Sequence, residues 1–150
     1  MGRITIYLDC CCFNRPFDDL TQAKIHAEAE AVKKIMELVE AGKVINVSSQ
    51  FVKYELENIK LQDKRDKVLD FYRCDVYHVL TEHIANLAKF YQTFKLKTFD
   101  SLHLATAEIN GVDYLLTTDI DFINFAKRFD HKTKVVNPCQ FLKEEFDNAT

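Results

Sequence analysis

Apolar positions along this chain fall into two alternating patterns. Short β-branched or aromatic runs that end on polar residues read as strands: RITIYLD (3–9), VINVSS (44–49), DVYHVL (75–80), DYLLT (113–117) and TKVVN (133–137). Between them, apolar residues recur at helical spacing. Ile25, Ala29, Val32, Met36 and Val39 mark one long amphipathic helix, with Thr21 as its N-cap and Gly42 as its stop. Further helices are expected over about 50–60, over LQDKRDKVLDFYR, from the Thr81 cap through Ile84, Leu87, Ala88 and Tyr91, over 99–110 before a Gly111 stop, and over 120–129. Pro138 opens a last helix, PCQFLKEEF, at a position where its missing N–H costs nothing. The segment NRPFDDLT (14–21) reads as turns. Short strands separated by helices imply a parallel sheet covered on both faces, so the expected fold is a three-layer α/β/α domain of about five strands.

Composition narrows this little. At 150 residues the chain is expected to form one domain, 1–150, with no internal repeat or linker. Three Gly and two Pro leave no room for a Gly-rich phosphate loop. A formal charge of −3 creates no strong field for nucleic acid, so a polyanionic partner would be held by local basic residues or bound cations. Five cysteines, three of them consecutive at Cys10, Cys11 and Cys12, do not make a disulfide framework. No apolar run approaches the ~18 residues of a membrane span, and Asp9 interrupts ITIYL too early for a leader. A reducing compartment, the cytoplasm, is expected.

The informative residues are acids. In a parallel sheet the carboxyl ends of all strands lie on one edge, where ligands bind at the point of strand-order reversal. Asp9 ends the first strand and Asp119 follows the fourth, so both should reach that edge, although either could merely cap the next helix. Glu55 falls inside the apolar stripe of Phe51, Val52, Leu56 and Ile59, whereas Glu57 is rotated to the solvent side with Lys53 and Lys60. A carboxylate on a buried face needs a cation or donors. Asp100 opens a helix that is apolar nearly all round. Asp121 cannot point the same way as Asp119 in a regular helix and is an auxiliary or water-mediated ligand. Four converging acids would repel one another without a divalent cation, and an all-oxygen set suits Mg²⁺ or Mn²⁺ in phosphoryl chemistry.

Other motifs are less telling. The spacing from Cys10 to Arg15 is one residue short for a thiol-phosphatase loop, and no CxxC or HxxxH pair exists for zinc. The cysteines read as small hydrophobes. His103, one turn after Asp100, is either a partner behind the ligands or a satisfied core histidine, and the second reading is favoured. Thr117 and Thr118 stand where a hydroxyl could orient Asp119 or a substrate phosphate. Asn14 and Arg15 leave the first strand on the same edge, where an arginine could clamp a phosphate.

With Asp9, the segment SQFVKYE (49–55), the DSLHLATA helix, the block GVDYLLTTDIDF and the closing VVNPCQFL, the chain resembles the PIN-domain family, particularly the single-domain VapC-like toxins. The resemblance spans essentially the whole chain. It implies a compact α/β/α fold and Mg²⁺- or Mn²⁺-dependent cleavage of single-stranded RNA, with Asp9, Glu55, Asp100 and Asp119 as catalytic metal ligands and Asp121 auxiliary. Asn14, Arg15 and Thr118 are the candidate substrate contacts. An antitoxin partner and a homodimer are further implications. The cysteine after Asp9 departs from the family, where a small hydroxyl or amide side chain commonly follows the first acid. Two rival readings share the pattern: a PIN-like module that binds RNA or protein without cutting, and a metal-dependent phosphatase or nuclease acting on DNA.

Overall fold

The computed structural model describes residues 2–146. Five strands form one parallel sheet: β1 (Ile4–Leu8), β2 (Val44–Ser49), β3 (Val76–His78), β4 (Tyr114–Leu116) and β5 (Lys134–Val136), in the order β3-β2-β1-β4-β5. The central strands are the most apolar. Ile6, Tyr7 and Leu8 of β1 and Leu115 and Leu116 of β4 have no exposure, as expected of strands covered on both faces. The edge strand β3 leaves Val76 and Tyr77 exposed.

The chain builds outward from β1 through β2 to β3, then returns to the other side of β1 for β4 and β5. The reversal therefore lies between β1 and β4, which pair with Tyr7 opposite Leu115. Where they end, the Asp9 N–H still donates to the Leu116 carbonyl at 2.9 Å, so the first acid begins at the switch point.

Eight helices flank the sheet among the described residues: α1 (Cys10–Asn14), α2 (Ala23–Glu40), α3 (Gln50–Glu57), α4 (Gln62–Phe71), α5 (Glu82–Thr93), α6 (Thr98–Ile109), α7 (Ile120–Ala126) and α8 (Pro138–Glu145). Helix α2 packs on α8, α5 on α6, and α3 touches both α4 and α6. This is the expected three-layer α/β/α arrangement. Gly42 and Gly111 follow α2 and α6 at φ of +74° and +65°. The next N–H donates back into the helix in both cases, Lys43 to Leu38 and Val112 to Ala107, each at 3.0 Å. Both stops are thus left-handed caps.

Several boundaries differ from the sequence expectation. The cysteine run is helical: Asp9 caps α1 by accepting from the Cys10 N–H at 2.7 Å, and the turn buries Cys12 and Phe13. A 3-10 turn, Arg15–Phe17, follows, so part of the expected loop is ordered helix. Thr21 does not cap α2, which starts at Ala23; its hydroxyl donates to Asp19 instead. Helix α3 ends at Glu57 and α7 at Ala126, each about one turn early. Thr81 does cap α5, accepting from the Ile84 N–H at 3.2 Å.

Candidate metal centre at the carboxyl edge of the sheet

Four elements deliver four acids to the switch point. Asp9 leaves β1 and is buried; Thr117, just past β4, donates its hydroxyl to the second carboxylate oxygen at 2.8 Å. The same hydroxyl accepts from the Asp119 N–H at 3.1 Å. One threonine thereby fixes the first acid and the backbone of the fourth. Asp119 caps α7, accepting from the Asp121 N–H at 2.9 Å. Glu55 projects from the inner side of α3 while Glu57 faces solvent. Asp100 lies in the first turn of α6, half-buried.

Asp9, Glu55, Asp100 and Asp119 line a common hollow of about 370 Å³ whose rim carries Cys10, Lys97 and Phe99. Carboxylate oxygens of Asp9 and Glu55 and the Cys10 sulfur lie within 4.8 Å of one another. Asp121 is exposed and faces an adjoining hollow of about 420 Å³ that also touches Asp100 and Asp119. A larger hollow between the 3-10 turn and α4 mixes Asp18 and Asp63 with Lys64 and Lys67 and gathers no buried acid.

The electrostatics show the strain of this convergence. Burial, reinforced by Asp9 and Asp119, pushes the Asp100 carboxyl up to about 7, against the pull of His103 and Lys97. Burial, then Asp9 and Glu55, hold the Cys10 thiol far above its ordinary range, so it stays protonated and adds no thiolate. The anionic donors are then carboxylate oxygens, which fit a hard divalent cation.

His103 is the residue whose role the sequence left open. It has no exposure, and its Nε2 donates to Glu55 at 2.5 Å and lies 3.7 Å from Asp9. Nδ1 meets the Tyr7 hydroxyl at 2.6 Å, and Tyr7 meets the Ser49 hydroxyl at 2.6 Å. Ser49 caps α3, the helix that carries Glu55. A buried chain of hydrogen bonds therefore links the elements that bear Asp9, Glu55 and Asp100. Burial alone would lower the His103 pKa, but the Glu55 hydrogen bond and the charges of Asp9 and Glu55 raise it above the ordinary imidazole value. The favoured reading as a mere core histidine gives way to a partner of the acids. Its spacing of three residues from Asp100 was the available signal.

The three candidate substrate contacts stand outside this hollow. Arg15 is not free to clamp a phosphate, because its Nε donates to Glu28 and its Nη1 to Asp18, both at 2.8 Å. Glu28 is a buried acid at the base of α2 that also accepts from Asn137, so this arginine neutralises a structural charge. Asn14 is half-buried with an unpaired Oδ1, and Thr118 is buried with its N–H directed to the Cys11 sulfur at 3.4 Å.

The PIN domain family model matches residues 6–128, which run from within β1 past the end of α7 and include every acid of the site. The chain belongs to the PIN domain family. As a PIN domain it is similar in fold to VapBC2 from Rickettsia felis, a structure bound to a DNA fragment from their promoter, with a TM-score of 0.61 at 14% identity over 89% of this chain and 98% of that one. It is also similar to a toxin-antitoxin complex from Klebsiella pneumoniae, with a TM-score of 0.55 at 20% identity over 89% and 97% of the two chains. A third similar structure is Mycobacterium tuberculosis VapC20, a sarcin-ricin loop cleaving toxin, with a TM-score of 0.53 at 16% identity over 78% and 92%. No curated protein is significantly similar in sequence. No helix of this PIN domain, among the described residues, is long and apolar enough to cross a membrane.

Proposed function

We propose that this PIN domain is an endoribonuclease that hydrolyses phosphodiester bonds of single-stranded RNA with Mg²⁺ or Mn²⁺. The observation that carries the reading is the convergence of Asp9, Glu55, Asp100 and Asp119 on one hollow at the topological switch point. The upward shift of Asp100 supports it, since such a cluster is relieved by a bound cation. The four acids would hold the ion, with Asp121 assisting from the adjoining hollow. Bound there, a divalent cation supplies a water of lowered pKa and charge stabilisation at the phosphate.

The residues of the chain do the positioning. Thr117 fixes Asp9, His103 fixes Glu55, and the cap geometry fixes Asp119. Lys97 at the rim offers the phosphate backbone a positive charge. Similarity to a toxin-antitoxin complex and to a toxin that cleaves the sarcin-ricin loop supports a cytoplasmic toxin that a small antitoxin protein blocks. Acting as a homodimer of single domains, each spanning 1–150, belongs to the same reading.

A panel of labelled single-stranded RNA, single-stranded DNA and a chromogenic phosphoester, each with Mn²⁺ or EDTA, tests the proposal. Cleavage of RNA alone, abolished by EDTA, is expected. Cleavage of DNA or of the phosphoester instead would assign the same centre to another substrate. Binding of RNA without any cleavage would support the non-catalytic module.

A further inference from the structure

Two aromatic rings stand beside the acids and take no part in holding them. Tyr54 immediately precedes Glu55 on α3, and Phe99 immediately precedes Asp100 on α6. Their rings lie nearly parallel, with centroids 5.6 Å apart and planes 6° from one another, an offset stack. Phe99 forms part of the wall of the acid-lined hollow, together with Lys97 and Thr98. Tyr54 is 55% exposed whereas Phe99 is half-buried and lies near His103, so Tyr54 is the more accessible ring of the stack.

We propose that Tyr54, backed by Phe99, is the platform on which an unpaired nucleobase of the RNA strand stacks when a neighbouring phosphate enters the hollow. The inference rests on the ribonuclease reading and adds the feature of the substrate that is recognised. Every base has a π-face, but only an unpaired strand presents it, so an aromatic platform selects single-stranded nucleic acid without reading its sequence. Lys97, on the same rim, pairs with the backbone on the hollow's side of that base. A duplex would have its bases already stacked.

The test uses the whole chain with Tyr54→Ala and Tyr54→Phe variants. Steady-state cleavage of single-stranded RNA is measured with Mn²⁺. In parallel, binding of an RNA oligonucleotide carrying a fluorescent adenine analogue is followed with Ca²⁺ in place of Mn²⁺, so that the acids are neutralised, on oligonucleotide checked to be uncut at the end of the titration. Tyr54→Ala is expected to raise KM and the dissociation constant roughly tenfold to a hundredfold, with kcat little changed. Tyr54→Phe keeps the ring and should behave as the wild type. Quenching of the analogue by the wild-type protein, lost in Tyr54→Ala, would support stacking. A Tyr54→Ala variant with unchanged KM and binding would overturn the platform, as would a Tyr54→Phe variant that fails equally. Because binding is read without cleavage, the two readings separate. A wild-type protein that quenches the base but cuts nothing keeps the platform and loses the nuclease. One that cuts RNA regardless of Tyr54 keeps the nuclease and loses the platform.

Discussion

Replacing Asp100 with asparagine is expected to lower RNA cleavage by about 10²–10³-fold while making the metal-free protein more stable above neutral pH. Loss of activity follows from removing one of the four anionic donors. The gain in stability follows from the upward shift of Asp100 to about 7 by burial and by the charges of Asp9 and Asp119. Between the ordinary carboxylate value and about 7, the folded protein holds a proton that the unfolded chain releases. Stability linked to that proton is present in full below the unfolded pKa and is lost as pH rises through the folded one. At about pH 8 the wild type therefore carries an unfavourable charge that the asparagine lacks. Allowing for solvent screening at a half-buried position, the gain is about 1–2 kcal/mol, or a few degrees in Tm. Melting curves in EDTA at about pH 4 and pH 8 check this. The difference should appear at the higher pH and vanish at the lower one. Destabilisation of equal size at both would mean that Asp100 is a structural cap.

The second large effect is expected at His103. Its Nε2 donates to Glu55 and its Nδ1 meets Tyr7, and the two amide side chains can each reproduce one of these bonds. Glutamine places an amide nitrogen where Nε2 lies; asparagine reaches only the Nδ1 position. Either change leaves one buried partner unsatisfied and should cost about 1–3 kcal/mol of stability. Metal affinity should separate them. His103→Asn frees Glu55 and is expected to weaken Mn²⁺ binding about 10–100-fold, the usual consequence of losing a group that orients a ligand. His103→Gln should retain most of the affinity. Calorimetry with Mn²⁺ decides. If both variants bind as the wild type does, His103 is only a packed core histidine.

The fold was largely legible because a doubly covered parallel sheet writes short apolar runs ending on polar residues, and β1, β2 and β4 follow that rule. The acids were legible for the same reason. Asp9 and Asp119 stand at strand ends, and Glu55 interrupts an apolar stripe. What escaped was set by tertiary contacts. Helix α1 is a single turn that exists because Asp9 caps it and the sheet buries Cys12 and Phe13, so its cysteines carry no helical signature of their own. The position of the Cys10 thiol beside Glu55 depends on that turn. Arg15 read as free because its buried partner, Glu28, lies 13 residues away in the second turn of another helix, although its other partner, Asp18, is only three residues on. His103 carried the right spacing from Asp100, but the Tyr7 hydroxyl that meets its other nitrogen comes from β1, and the Ser49 hydroxyl that holds Tyr7 comes from β2. No local pattern announces such a chain.

If these carboxylates form a cation-dependent hydrolytic centre, a calorimetric titration with Mn²⁺ should show the cation held by them. Wild-type protein is compared with Asp9→Asn, in which asparagine remains a competent cap for α1 while one ligand charge is lost. Saturable Mn²⁺ binding by the wild type, weakened at least about tenfold in Asp9→Asn, is the predicted result. A wild-type protein that takes up no Mn²⁺, or an Asp9→Asn variant that binds it equally well, would mean that these carboxylates are not a cation site.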